Sequence, residues 1–217
     1  MKAQLSGFRQ AFDRSEVDFT ILDAPCPASG PAYSSVTQHF KGPFYEWWNY
    51  VEEAPGKHVY VGWQNSLAFV QDQVATRGPF DVVLGFSQGA AMATLLTAHY
   101  YATSRHVPYA AVVLCCGKLP QDGMPVSLQL QPNRLKFNLP IPSLHILGKR
   151  DSRYGWGLKL ADSYDAGARH MFLHDDGHRF PTVAQHKPMY DDMVRHLRLL
   201  CGSQTATDTY CHGGIEF

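Results

Sequence analysis

DVVLGFSQGAAMATLL, residues 81–96, changes character at its middle, and the rest of the chain reads outward from that change. Val82, Val83 and Leu84 form a short β-branched, apolar run of the kind that suits a strand buried on both faces. Gly85-Phe86-Ser87-Gln88-Gly89 then fits the G-x-S-x-G nucleophile elbow, and the small, helix-forming residues 90–96 follow. The two glycines remove side chains where strand and helix backbones approach. Ser87 must take a strained conformation that lifts its hydroxyl clear of the sheet. A helix starting beneath it aims its N-terminal amides at an incoming oxyanion. Ser87 is therefore the candidate nucleophile, and the Gln88 amide the first oxyanion donor.

A strand buried on both faces implies an α/β protein with a parallel sheet, and the remaining patterns agree. Residues 2–12 place Leu5, Phe8 and Phe12 at helical spacing; residues 17–22 read as a strand ended by Pro25. Residues 26–42 are rich in Pro, Gly, Ser and Thr and read as a long surface excursion. The aromatic cluster at 44–50 closes it, either packing the excursion onto the body or walling an acyl pocket, with Trp47 and Trp48 of the cluster and Phe86 of the elbow as the substrate-binding candidates. Helical periodicity is predicted over 59–74. Strands are predicted at 110–115, 143–147 and 170–173, and helices at 158–164 and 189–200. Strands alternating with helices define a mostly parallel sheet covered on both faces.

The bulk properties narrow the class. The chain has 217 residues, enough for one well-cored domain over 1–200, and residues 201–217 read as a polar, unpatterned tail. With 19 basic and 19 acidic side chains, nothing in the charge balance recruits nucleic acid or an anionic membrane. Mean hydropathy is −0.24 and no run is apolar enough to span a bilayer, so a cytoplasmic or nuclear setting is expected. The five cysteines are odd in number and lack C-x-x-C spacing; Cys115 and Cys116 end an apolar strand and read as small core residues. No cofactor is implied, and a metal site is not expected at His174 and His178, which sit in a loop with no third ligand in sequence.

In open α/β sheets, reactive groups collect beyond the carboxyl ends of strands. Asp151 follows the strand ending at Leu147, and His178 follows the last strand in a loop with Gly177 before it and Pro181 after it. Asp175 and Asp176 are rival acids. The order Ser87, Asp151, His178 is that of α/β-hydrolase triads, in which histidine takes the serine proton and aspartate fixes the imidazole tautomer.

The strings GPFDVVLGFSQGAA (78–91), PSLHILGKRD (142–151) and DGHRFP (176–181), with GFRQAF, ILDAP and YEWW, resemble the FSH family of serine hydrolases over residues 5–198. The resemblance implies an α/β-hydrolase fold, Ser87, Asp151 and His178 as the triad, and hydrolysis of carboxylic esters or thioesters of small molecules. It also implies an opening strand and a Leu-His-Gly-type loop ahead of the helix at 2–12, which supply a second oxyanion donor. Nothing in the sequence matches them. An N-terminally truncated fold is thus expected, with the sheet either gapped or re-paired between residues 17–22 and 81–84. An impaired hydrolase retained for ligand or partner binding is the alternative reading.

Overall fold

The computed structural model describes residues 5–13, 15–31, 34–38, 40–130, 136–202 and 214–216. In chain order these form α1 (Ser6–Gln10), β1 (Phe19–Ile21), β2 (Cys26–Pro27), α2 (Ser34–Thr37), β3 (Tyr45–Glu46), β4 (Asn49–Ala54), β5 (Lys57–Val61), α3 (Trp63–Arg77), β6 (Val82–Phe86), α4 (Gln88–Ser104), β7 (Ala111–Cys115), β8 (Ser143–Gly148), α5 (Tyr154–Ala161), β9 (Arg169–His174), α6 (Val183–Gly202) and β10 (Gly214–Glu216).

Six strands make one sheet in the order β1-β10-β6-β7-β8-β9, with every pairing parallel. A parallel sheet needs helices on both faces, and alternation along the strands decides which residues meet them. Val83, Val112 and Leu114 point to one side and pack with Leu67, Val70 and Val74 of α3 and the small residues of α4. Leu84, Val113, Cys115, Leu144 and Ile146 point to the other, against Phe8 of α1 and Tyr190, Met193 and Leu197 of α6. Helix α4 is buried along most of its length, from Gly89 to Ala98, which is why its residues are small and apolar on every face.

Three expectations are corrected. Residues 59–61 are not helical: they belong to β5, paired antiparallel with β4 around a turn where Gly56 takes φ +76°, and the helix starts only at Trp63. The predicted helix at 158–164 lies earlier, at Tyr154–Ala161. The third correction concerns the sheet. It is neither gapped nor re-paired, because β10 lies between β1 and β6, with Ile215 opposite both Thr20 and Val83. Part of the expected tail is therefore a central strand; residues 203–213 lie outside the described residues, as do 2–4 of the predicted first helix.

A central strand has both rows of backbone groups committed. Proline at residue 215 removes a donor from the ladder, so Ile215→Pro is expected to cost about 1–3 kcal/mol, read as a lower thermal midpoint. An unchanged midpoint would place residues 214–216 outside the sheet.

Candidate active site

The elbow has the predicted geometry. Ser87 sits at φ 55°, ψ −113°, outside the regions a serine ordinarily occupies, between the end of β6 and the first residue of α4. Two backbone bonds hold it there: its N–H donates to the Cys115 carbonyl at 2.9 Å, and its carbonyl accepts from Ala91 N–H at 3.3 Å. Gly85 is required because a Cβ at this position would lie 2.4 Å from the Gly89 carbonyl oxygen. Gln88 opens α4, so its amide is among the N–H groups for which the helix has no internal acceptor.

The acid and base arrive from β8 and β9. His178 Nε2 is 2.9 Å from Ser87 Oγ, and His178 Nδ1 is 2.6 Å from Asp151 Oδ2. The carboxylate can only accept, so Nδ1 carries the proton and Nε2 is left to accept from the serine hydroxyl. Asp151 is 8 % exposed, and its Oδ1 accepts from the Arg153 amide at 2.8 Å. Burial pushes the Asp151 pKa up, but the Arg153 amide, His178 and the Cys116 side chain together outweigh it and hold it below the ordinary carboxylate value. The rival acids point elsewhere: Asp175 pairs with Lys149 at 3.0 Å and Asp176 with Arg179 at 2.7 Å.

The acid and base loops are laced together. Lys149 N–H donates to the His174 carbonyl at 2.8 Å, and Arg150 N–H to the Asp176 carbonyl at 3.1 Å. Gly148 lies so close to the base loop that a Cβ there would be 2.2 Å from the Gly177 carbonyl oxygen.

Ser87 and His178 open into a cavity of about 380 Å³, within the range of small-molecule sites. Its wall includes Trp48 and Tyr60, stacked at 4.8 Å between ring centroids. The three aromatic candidates divide. Trp48 is in this wall. Trp47, at the bend between β3 and β4, instead lines a separate cavity with Leu22, Phe40 and Phe44. Phe86 packs on the His178 ring at 5.1 Å and on Phe180 at 5.6 Å, so it supports the imidazole from behind.

Two residues have roles that the sequence did not signal. The Gln88 side chain clamps the aromatic segment to the elbow: its Oε1 accepts from Trp47 N–H at 2.7 Å and its Nε2 donates to the Trp48 carbonyl at 2.9 Å. Cys116 is buried in the core, as read, and also forms part of the cavity wall, at φ 50°. The Cys115 thiol, which donates a hydrogen bond to the Cys116 sulfur, lowers its pKa most. Burial opposes this, but His174, the Gly148 amide and His178 add to the lowering, to about 5. Cys116, Asp151 and His178 are the trio among the described residues whose donor atoms all lie within 4.8 Å of one another, the set that could hold a metal ion.

This fold, with a hydrogen-bonded serine, histidine and aspartate at the carboxyl edge of a parallel sheet, is that of the α/β hydrolases. Residues 1–190 match the family model described as serine hydrolase (FSH1), and the chain belongs to that family. It is 33 % identical over 158 residues to Esterase C25G4.2 of Caenorhabditis elegans, covering 69 % of each chain. It is 30 % identical over 179 residues to mouse Esterase OVCA2, covering 77 % of this chain and 72 % of the relative. Esterase FPY3 of Fusarium mangiferae is 28 % identical over 166 residues, 65 % of this chain and 73 % of that one. Among solved structures, Zea mays acyl-protein thioesterase 2 shares the fold at a TM-score of 0.53 with 18 % identity, over 81 % of this chain and 79 % of its own. Among the described residues, no helix is long and apolar enough to cross a membrane.

The close approach at Gly148 yields a test. Gly148→Ala forces the Asp176–Gly177 backbone away and carries His178 with it. We expect a stability loss of about 1–3 kcal/mol in thermal denaturation and a roughly 100-fold slower labelling of Ser87 by a fluorophosphonate. Labelling at the parent rate would mean that the two loops do not depend on each other.

Proposed function

We propose that the chain hydrolyses carboxylic esters or thioesters of small molecules through an acyl-enzyme on Ser87. The observation that carries this reading is the unbroken relay from Asp151 through His178 to Ser87 Oγ, with bonds of 2.6 and 2.9 Å, at the mouth of an aromatic cavity. The esterase names of the relatives support the same class.

The steps follow from the bonding. His178 Nε2 takes the hydroxyl proton as Ser87 Oγ attacks the acyl carbonyl, and Asp151 stabilises the imidazolium without itself becoming protonated. The oxyanion meets the Gln88 amide and the positive end of α4. The bond to the alcohol or thiol breaks, and the leaving atom takes the proton from His178. A water molecule, deprotonated by His178, then cleaves the acyl-enzyme, releasing the carboxylic acid and restoring the Ser87 hydroxyl. The acyl chain lies against Trp48 and Tyr60.

A fluorophosphonate is expected to label the protein covalently, and Ser87→Ala to abolish that labelling and lower p-nitrophenyl ester hydrolysis at least about 10³-fold. Asp151→Asn keeps the shape but disfavours the tautomer that accepts from serine, so turnover is expected to fall by about 10⁴. Labelling that survives Ser87→Ala would sink the assignment of the nucleophile. An Asp151→Asn variant as fast as the parent would exclude Asp151 as the orienting acid.

A further inference from the structure

We propose that the leaving group of the natural substrate is phosphorylated, as in a thioester of coenzyme A, and that a cationic groove opening from the catalytic cavity holds it. The proposal rests on the acyl-hydrolase reading of Ser87 and extends it to substrate class.

The catalytic cavity does not end at its aromatic wall. It shares Tyr50, Lys118 and Trp156 with a larger cavity of about 720 Å³, so the two form one path from Ser87 outward. The catalytic cavity carries the buried aromatics Trp48 and Tyr60 in its wall, which suits an acyl chain, and Lys118 and Arg153 as well. The larger cavity adds charge of the same sign. Lys118, Lys136 and Lys159 line it, and its carboxylate, Asp162, is already engaged by Arg169 at 2.8 Å. Lys118 and Arg153 both stand over the Trp156 ring, at 4.9 and 5.7 Å from its centroid. Two cations on one indole repel each other: burial, and then the Arg153 charge, hold the Lys118 pKa below its ordinary value. An anion seated between them offsets that cost, and ammonium and guanidinium groups are the usual partners of phosphate oxygens.

The chain as a whole has no charge excess, with 19 basic and 19 acidic side chains, so this local clustering is not a by-product of composition. Its position assigns the charge to the departing half of the substrate. The acyl half is taken up by the Trp48–Tyr60 wall beside Ser87, and the departing half extends towards the lysines of the larger cavity, past the partly exposed Trp156.

The test compares two thioesters of one acyl group, butyryl-coenzyme A and neutral butyryl-N-acetylcysteamine, by kcat/KM at about 0.02 M and about 0.5 M salt. We expect a preference of roughly tenfold or more for the coenzyme A thioester at low salt, collapsing at high salt. Lys118→Ala and Lys159→Ala should each lower the preference several-fold, and Lys118→Arg should keep most of it. Butyryl choline and a hemisuccinate ester of choline form the other arm: a preference for the hemisuccinate that depends on the same lysines would move the anion to the acyl side and overturn the assignment. Equal kcat/KM for the two thioesters would overturn it as well.

Binding gives a second readout, independent of turnover. In Ser87→Ala, free coenzyme A should quench the Trp156 fluorescence, identified by its loss in Trp156→Phe, and Lys118→Ala should weaken the quenching. Absent quenching counts against the groove. If neither thioester is cleaved while quenching persists and depends on Lys118, the hydrolase reading fails and the anion groove stands.

Discussion

Where β8 ends, Gly148 passes so close to Gly177 that no side chain fits between the two loops, and where β6 ends, Gly85 does the same against the first turn of α4. Both contacts are backbone against backbone. They set Asp151 beside His178 and Ser87 beneath them with little freedom to relax, because a main chain displaces far less readily than a rotamer changes. The strain at Ser87, of order 1–3 kcal/mol for a residue in such a conformation, is borne by the Cys115 carbonyl and by the buried helix behind it. The core is packed at the sheet so that the reactive groups can be fixed at its edge.

The parts of this arrangement that the sequence revealed are those where one residue type has few alternatives. β-Branched runs mark β6 and β7, prolines before it and a glycine at its end mark β8, and a serine between two glycines after β6 marks the elbow. Asp151 and His178 could be named because each directly follows a strand whose end is clear, and the structure brings both within hydrogen-bond reach in series with Ser87. Aromatic placement was harder to read. Trp47 and Trp48 differ by one position, but they sit in the bend between β3 and β4, where no strand or helix period says which cavity each will line.

Other features left weak signals for physical reasons. Residues 57–61 are β-branched and aromatic at 59–61 but show no alternation, and the apolar spacing of Leu67, Val70 and Val74 after them extends a false helical period backward. Gly155 and Gly157 lower the helical propensity of the first turns of α5, which moved its predicted start too late. Lys118, Lys136 and Lys159 are far apart in sequence, and only the fold gathers them into one groove. Strand β10 is three residues long, Gly-Ile-Glu, too short to show a period; its place is fixed by the two unpaired edges it satisfies rather than by its own composition.

That placement carries a consequence for the order in which the protein can assemble. Residues 19–21 and 82–84 emerge early during synthesis, yet the strand that joins them in the sheet is not available until residues 214–216 have been made. Parallel pairings between such distant segments are among the slowest contacts to form, and the two strand edges they close stay open to other chains meanwhile. The centre of the sheet that carries Ser87 therefore cannot close until residues 214–216 are available to pair on both sides.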